Sequence, residues 1–369
     1  MRILHVYKGY PPVTGGMENH LCLLAEAQAA AGHDVTVLVT ASGRRSEREV
    51  RRGVRVVRAG RWATLSSAPL SIALARVLRA EEPDLTHLHC PYPVGEAAWL
   101  AWGRRPMVLT YQSDIVRQRW LGALWAPGLR RVLDRADRIL ASSPPYVESS
   151  PFLRPLRHKV TVVPLGIDPR PFVTVDRAAA RGRLGDGPTL LFVGRLRYYK
   201  GLEVLIDALS ALPDVRLAVV GTGPMGDTWR RRAETHGVSD RITWLGDVAG
   251  DALPLTLAAA DVFVLPSTRR SEAYGLAMVE AMATGLPVIS TELGTGTSWV
   301  NQDGVTGRVV APGDARALAT AVRELVGDAA LRRRMGEAGR ARVVSDLSAE
   351  RMIERVQAVY ADVLGGTPE

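Results

Sequence analysis

The side chains best suited to chemistry fall in three short segments. In Gly15-Gly16-Met17-Glu18-Asn19-His20, paired glycines stand between an apolar run and a helical pattern. Glycine lets a backbone approach a phosphate closely, and a helix N-terminus favours an anion. A plain turn before a helix would look the same. In Gly194-Arg195-Leu196-Arg197-Tyr198-Tyr199-Lys200-Gly201, two cations flank another helix start. Arg195 can grip a diphosphate through two N–H groups, and Lys200 can supply a compact point charge. Arg197 reads as a solvated neighbour. In Glu272-Ala-Tyr-Gly-Leu-Ala-Met-Val-Glu280, seven residues separate two carboxylates. Gly275 marks the turn into a helix, so Glu272 precedes it and Glu280 lies about one and a half turns inside. Both carboxylates can accept hydrogen bonds from sugar or ribose hydroxyls. The backbone N–H groups of Tyr274, Gly275 and Leu276 can bind a phosphate. Two surface glutamates near a helix start are the bland alternative.

Other segments admit rival chemistry. Gly221-Thr-Gly-Pro-Met-Gly226 fits G-x-G-x-x-G, with Asp247 about twenty residues on, as a dinucleotide site requires. His87-Leu-His89-Cys90 ends an apolar run and evokes a metal, but no partner pair at ligand spacing appears elsewhere. It reads better as a strand end, with His89 near a second substrate. His20 either touches that substrate or covers the helix. Trp120, Leu121, Leu124 and Trp125 form an apolar stripe flanked by Arg117, Arg119, Arg130 and Arg131. That combination suits an anionic membrane surface and equally a core-facing helix.

These segments need a scaffold. Apolar runs at Arg2–Tyr7, Asp34–Thr40, Val54–Val57, Leu85–His89, Met107–Tyr111, Arg138–Ala141 and Val160–Val163 alternate with helical patterns. That rhythm implies a parallel sheet covered on both faces. Pro164, Pro169 and Pro171 then break the pattern. It restarts with strands at Thr189–Val193, Val215–Val220, Arg241–Leu245, Val262–Leu265 and Val288–Ser290. The helices among them fall at Leu202–Leu212, Pro224–His236, Leu276–Thr284, Ala315–Val326 and Ala329–Val344. The expected organisation is an α/β chain of two doubly wound domains facing a central cleft. One spans residues 1–166 and the other 167–348, with a last helix in 349–369 packing back on the first. Ligands in such sheets bind at the carboxyl ends of strands.

Composition narrows the classes further. The chain has 369 residues, 47% hydrophobic and 23% charged, which is globular and long enough for two cores. Cys22 and Cys90 are its two cysteines, which excludes a disulfide scaffold and points to a reducing compartment. No apolar run is long enough to span a membrane. The opening run Met1-Arg-Ile-Leu-His-Val-Tyr-Lys8 meets a charge too soon for a secretory leader. The net charge is +9. All of the positive excess lies in residues 1–170, eight arginines of it between Arg44 and Arg61. A basic half can face an anionic membrane or a phosphorylated substrate. No module for nucleic acid accompanies it.

Together the three segments resemble glycosyltransferase family 4, retaining enzymes of the GT-B fold. The resemblance extends over nearly the whole chain, through the Val-Pro-Leu-Gly-Ile-Asp168 linker and the Glu280-Ala-Met-Ala-Thr-Gly-Leu-Pro-Val-Ile-Ser290 tail. It implies that Gly15, Gly16, Gly194, Arg195 and Lys200 meet the donor diphosphate, Glu272 the donor sugar and Glu280 the ribose. Asp247 and Val248 would border the nucleobase, and Gly223 belongs to a Gly-x-Gly-Pro loop of the donor site. Tyr274, Gly275 and Leu276 complete that site. His20, His89 and Asp114 would face the acceptor. Gly294-Thr295-Gly296-Thr297-Ser298 and the segment 111–118 are similar to a branch that builds O-antigen and related polysaccharides, often from GDP-mannose or GDP-rhamnose. In this family Gln112 replaces a usual histidine. Glutamine donates and accepts hydrogen bonds but does not titrate near neutral pH. Gln112 is therefore expected in the catalytic site without a general-base role, and a non-catalytic sugar-nucleotide sensor stays open as an alternative. Neither a divalent metal nor another cofactor is expected, and the cytoplasmic side of a membrane is the expected location.

Overall fold

The computed structural model describes residues 1–13, 15–65, 68–114, 119–180 and 182–365. The chain divides into two compact units, Met1–Pro164 with Ala349–Glu369, and Leu165–Ser348.

The first unit is built on strands β1 (Arg2–Val6), β2 (Asp34–Thr40), β3 (Glu47–Arg51), β4 (Val54–Ala59), β5 (Ala63–Leu65), β6 (Ala68–Leu70), β7 (Leu85–Cys90), β8 (Met107–Tyr111), β9 (Arg138–Ala141) and β10 (Val160–Val162). Eight of them form one sheet in the order β10-β9-β8-β7-β1-β2-β4-β3. All pairs are parallel except β3 with β4. Every residue of β7 and β8 is buried, as befits strands covered on both faces. The arginine-rich stretch becomes an edge hairpin. Glu47–Arg51 is exposed throughout, and Arg58 pairs with Glu49 at 2.6 Å. A charged edge of this kind resists pairing with another chain. Hydrophobic alternation is absent from β3, so the sequence pattern did not mark it as a strand.

The C-terminal helix Ala349–Gly365 belongs to this unit. Tyr360 is fully buried, with its hydroxyl 2.5 Å from His87 Nδ1, and Arg138 reaches Asp362 at 2.8 Å.

The second unit carries β11 (Thr189–Val193), β12 (Arg216–Val220), β13 (Ile242–Gly246), β14 (Val262–Leu265), β15 (Val288–Thr291) and β16 (Gly307–Val310). Their order is β13-β12-β11-β14-β15-β16, wholly parallel, the arrangement of a dinucleotide-binding fold. Phe192, Phe263, Leu205, Met278 and Met282 are completely buried around β11 and β14. Each such side chain contributes about 1.5–3 kcal/mol. Asp314 and Asp328 cap the helices Ala315–Gly327 and Ala329–Asp346 by accepting backbone N–H groups. Among the boundaries that shift from the sequence reading, two have a clear cause. The helix after β11 ends at Leu209, because the next residues tighten into three-residue turns before Pro213. The helix after β12 begins at Gly226, since Gly223 and Pro224 belong to a loop.

Candidate active site

The crossover in the second sheet lies between β11 and β14, where connections leave in opposite directions. The segment after β11 delivers Lys200, and the segment after β14 delivers Glu272. Lys200 Nζ lies 2.6 Å from Glu272 Oε2, with side chains 12% and 10% exposed. Ser267 Oγ donates to the same oxygen at 3.2 Å. Burial alone would lower the Lys200 ammonium. The charge of Glu272, with smaller help from Tyr199 and the hydrogen bond, outweighs it and leaves Lys200 above its ordinary value. Lys200 therefore remains a cation at neutral pH. A buried ion pair is weak evidence for stability, because desolvation offsets much of its attraction.

Glycine makes the two segments meet. At Gly201, φ is +68°, and a Cβ would come within 2.0 Å of the Pro266 carbonyl oxygen. Thr268 N–H donates to the Tyr199 carbonyl at 2.8 Å, tying the same loops. Arg195 is exposed, and its guanidinium has no hydrogen bond or ion pair among the described residues.

A threonine-rich loop braces the Glu272 turn. Thr295 Oγ1 donates to the Glu272 carbonyl and Thr297 Oγ1 to that of Thr291, each at 2.8 Å. Gly296 N–H donates to the Ala273 carbonyl at 2.8 Å. Gly275 (φ +84°) then opens the helix Leu276–Ala283. The N–H groups of Gly275, Leu276 and Ala277 have no backbone acceptor among the described residues. Tyr274 is buried beside this turn. Inside the helix Glu280 is half-buried, and desolvation pushes its carboxyl up to about 7.

The dinucleotide-like glycines have a packing explanation. A Cβ at Gly221 (φ +118°) would lie 2.2 Å from the Gly194 carbonyl oxygen, and one at Gly223 would lie 2.6 Å from that of Leu196. The loops after β11 and β12 thus lie backbone to backbone. Asp247 accepts from Thr222 Oγ1 at 2.9 Å, and Val248 follows it, half-buried.

The first unit presents a different surface. The helix Gly16–Ala30 starts at the Gly15-Gly16 pair. The buried Glu18 folds against it, so that a Cβ on Gly15 would come within 2.3 Å of a carboxylate oxygen. A carboxyl group already packs against that helix start. His20 and His89, expected on the acceptor surface, are instead buried, at 5% and 1% exposure. His89 Nε2 is 3.1 Å from His5 Nδ1, and His5 Nε2 is 2.7 Å from Gln28 Oε1. His87 reaches Thr110 Oγ1 at 2.6 Å through its Nε2. Burial lowers His5 and His20 to about 4, and His87 and His89 well below the ordinary value. All four are neutral at pH 7. His5, His87 and His89 bring nitrogens within 4.8 Å of one another. Hydrogen bonds engage both nitrogens of His5 and of His87, whereas His89 Nδ1 and both nitrogens of His20 have no partner among the described residues. The cluster's missing partner in the sequence was His5, far away in the chain but paired in register with His87.

Gln112 follows β8 at 6% exposure, its N–H bonded to the Cys90 carbonyl at 3.1 Å. Asp114 is half-buried, accepting from Tyr111 Oη at 2.8 Å and Ser150 Oγ at 2.9 Å. The proposed apolar stripe divides. Leu124 is 76% exposed, whereas Trp125 turns inward and donates from Nε1 to buried Glu96 at 2.5 Å. The side chains of Arg117, Arg119, Trp120 and Leu121 lie outside the described residues.

Residues 176–342 match the family model of glycosyl transferases group 1, and residues 14–170 match that of glycosyltransferase family 4. O-antigen chain mannosyltransferase C of Escherichia coli is 35% identical, with 99% of each chain covered. The chain belongs to the family 4 glycosyltransferases. D-rhamnosyltransferase WbpZ of Pseudomonas aeruginosa is 37% identical to this glycosyltransferase, over 88% of its chain and 86% of the relative. The GT-B fold agrees with solved structures. Sucrose-phosphate synthase from Thermosynechococcus elongatus superposes with a TM-score of 0.81 at 24% identity, over 99% and 100% of the two chains. Anabaena HepE in complex with UDP and glucose gives 0.79 at 21%, over 98% and 99%.

Sequence reasoning on this glycosyltransferase missed the supports rather than the charged groups. Ser267, from the segment after β14, and Thr291 and Thr295, from the end of β15 and the loop after it, hold the Glu272 turn. The Thr-x-Thr pattern at 295–297 was the visible signal, and Ser267 had none.

Proposed function

We propose that this enzyme moves a mannose-type hexose from a nucleoside-diphosphate sugar, GDP-linked, to a hydroxyl of a sugar or lipid-linked oligosaccharide, retaining the anomeric configuration. The product is a cell-surface polysaccharide of the O-antigen kind. The two relatives reported above act on mannose and D-rhamnose by name, which supports the sugar class. The observation that carries the reading is the buried Lys200–Glu272 pair at the crossover of the second sheet.

In this reading the bond from C1 to the phosphate oxygen breaks, and the nucleoside diphosphate leaves with the electron pair. The acceptor oxygen bonds C1 on the same face, and its proton passes to the departing phosphate. Negative charge grows on the diphosphate as it leaves. Lys200 has three donors, so it can keep Glu272 and still bind a phosphate oxygen. Arg195 and the open N–H groups of Gly275 and Leu276 add to the stabilisation, with the Gly194 and Gly223 loops underneath. These groups do what a divalent metal would otherwise do. Glu272 holds sugar hydroxyls, Glu280 the ribose, and Asp247 and Val248 the base. Gln112 orients the reacting groups by hydrogen bonding, and Asp114 contacts the acceptor.

No helix among the described residues is long and apolar enough to cross a membrane. The reading places the enzyme on the cytoplasmic side, held peripherally on anionic lipid through its basic first unit. A thermal-shift panel of GDP-, UDP- and ADP-sugars, followed by transfer assays with and without EDTA, tests the whole reading. A GDP-sugar should raise the melting temperature by mass action and be turned over in excess EDTA. Binding without turnover on any acceptor would favour a sensor. Loss of turnover in EDTA, restored by manganese, would overturn the metal-free reading.

A further inference from the structure

Two buried polar atoms stand unpartnered beside each other on the first sheet. Strands β8 and β9 are parallel, with Tyr111 opposite Ala141. The next residues, Gln112 and Ser142, therefore leave the sheet side by side at its carboxyl edge, on strands about 4.8 Å apart. Gln112 is 6% and Ser142 4% exposed. Neither Gln112 Nε2 nor Ser142 Oγ has a hydrogen-bond partner among the described residues. Their neighbours in the chain, Ser143 and Thr110, are satisfied, while His89 Nδ1 on β7 is also without a partner among the described residues. Ser143 Oγ accepts the Tyr146 N–H, and Thr110 Oγ1 is engaged by His87. A buried polar atom without a partner costs about 1–3 kcal/mol, so two together at the ligand-binding edge of a sheet call for an occupant.

We propose that Gln112 and Ser142 form a subsite for one hydroxyl of the acceptor sugar ring, and that Ser142 helps decide which sugar is accepted. This rests on the glycosyl-transfer reading above and adds a residue to it. The chemistry selects a hydroxyl. Gln112 Nε2 only donates, so its partner must accept, which excludes an ammonium. Ser142 Oγ can donate or accept, and a hydroxyl answers both residues at once. A phosphate could also accept from both, but the histidines of this sheet and Asp114 bring it no counter-charge. His5, His20, His87 and His89 are all neutral at pH 7, and the Asp114 carboxyl lies two residues beyond Gln112. A site that hydrogen-bonds a hydroxyl discriminates strongly against the analogue lacking it, because its own polar atoms are then left unpaired.

The test uses the full-length enzyme with methyl α-D-mannopyranoside as acceptor, together with its monodeoxy derivatives. Ser142→Ala should raise the acceptor KM about tenfold, the worth of one hydrogen bond, with a smaller change in kcat. It should leave the melting temperature unchanged or higher, since it removes a buried hydroxyl that bonds to nothing in the free protein. One deoxy acceptor should be poor for the wild type and no poorer for Ser142→Ala. Gln112→Glu, which removes the Nε2 donor, should share that insensitivity. Wild-type acceptor kinetics in Ser142→Ala would overturn the subsite. So would a fall in melting temperature that accounts for the lost activity, or coupling to deoxy donors in place of deoxy acceptors. If the wild type transfers sugar while Ser142→Ala is silent, only the subsite falls. If the wild type transfers to no acceptor, the transfer reading falls and the subsite with it.

Discussion

The two units follow the same construction rule and fill its key position with opposite chemistry. Each sheet has a crossover, β1 against β7 in the first and β11 against β14 in the second. The second holds a full ion pair there, Lys200 with Glu272. The first holds neutral imidazoles and amides, with His5 beside His87 in register. The contrast matches the division of labour in the proposed reaction. A leaving diphosphate needs cations, whereas a hydroxyl nucleophile needs neutral partners that donate and accept. It also corrects a lesson of composition. The positive excess of the chain lies in residues 1–170, yet much of it is spent on an exposed edge strand and its ion pairs. The cations that the proposed reaction assigns to the diphosphate sit in the half with almost no net charge.

Removing the charge from the second unit should have the largest effect. Lys200→Ala should cut transfer at least tenfold. It also strands the buried Glu272 carboxylate, at a cost of about 3–5 kcal/mol. The double variant Lys200→Met with Glu272→Gln separates the two consequences. Denaturant melts should show most of the stability recovered, while transfer stays low. Recovery of both would mean that the pair is purely structural.

Acid should distinguish the units next. A buried neutral histidine whose folded pKa is depressed stabilises the protein above its unfolded value, near 6.5. That stability is lost as pH falls through the folded value. For His5 and His20 the window runs from 6.5 down to about 4. Each is worth roughly 3 kcal/mol at most. Hydrogen exchange at pH 4.5 should show the first unit opening well before the second. Simultaneous opening would blur the contrast drawn here.

Glu280 gives a smaller effect of opposite sign. Its folded pKa, about 7, lies above the ordinary value of 4.5. Its contribution is complete below 4.5 and disappears as pH rises through 7. Glu280→Gln should therefore raise stability by about 1–3 kcal/mol above pH 7 and change little below pH 4.5. Equal effects at both pH values would contradict the desolvated carboxyl. Smallest is the effect expected at the membrane. Leu124→Ser should weaken salt-sensitive binding to anionic vesicles by a few fold, since the inward Trp125 leaves Leu124 as the described apolar contact of that stripe.

Much of the frame was legible because parallel strands buried on both faces are nearly continuous apolar runs. The strands β1, β8, β11 and β14 stand out for that reason. The exposed β3 did not, because its Glu-Arg-Glu-Val-Arg pattern serves a charged edge. Within the site, charge and glycine spacing marked Arg195, Lys200, Glu272 and Gly275. The mutual contact of Lys200 and Glu272 was hidden, since it depends on strand order rather than on local pattern. The histidine cluster was hidden too, since His20 and His89 looked like separate substrate contacts but pack against each other and beside His5 and His87. Gln112 stood out by its residue type, while Ser142 became visible only once β8 and β9 were paired in register.

The central claim is that the cation of the second unit holds the diphosphate. Calorimetric titration of GDP into the wild type and into the Lys200→Met, Glu272→Gln double variant tests it without the transferred hexose, so the loss of Glu272 removes no hexose contact. The account predicts binding at least tenfold weaker in a double variant that still melts cooperatively. Equal affinity in the two proteins would contradict it.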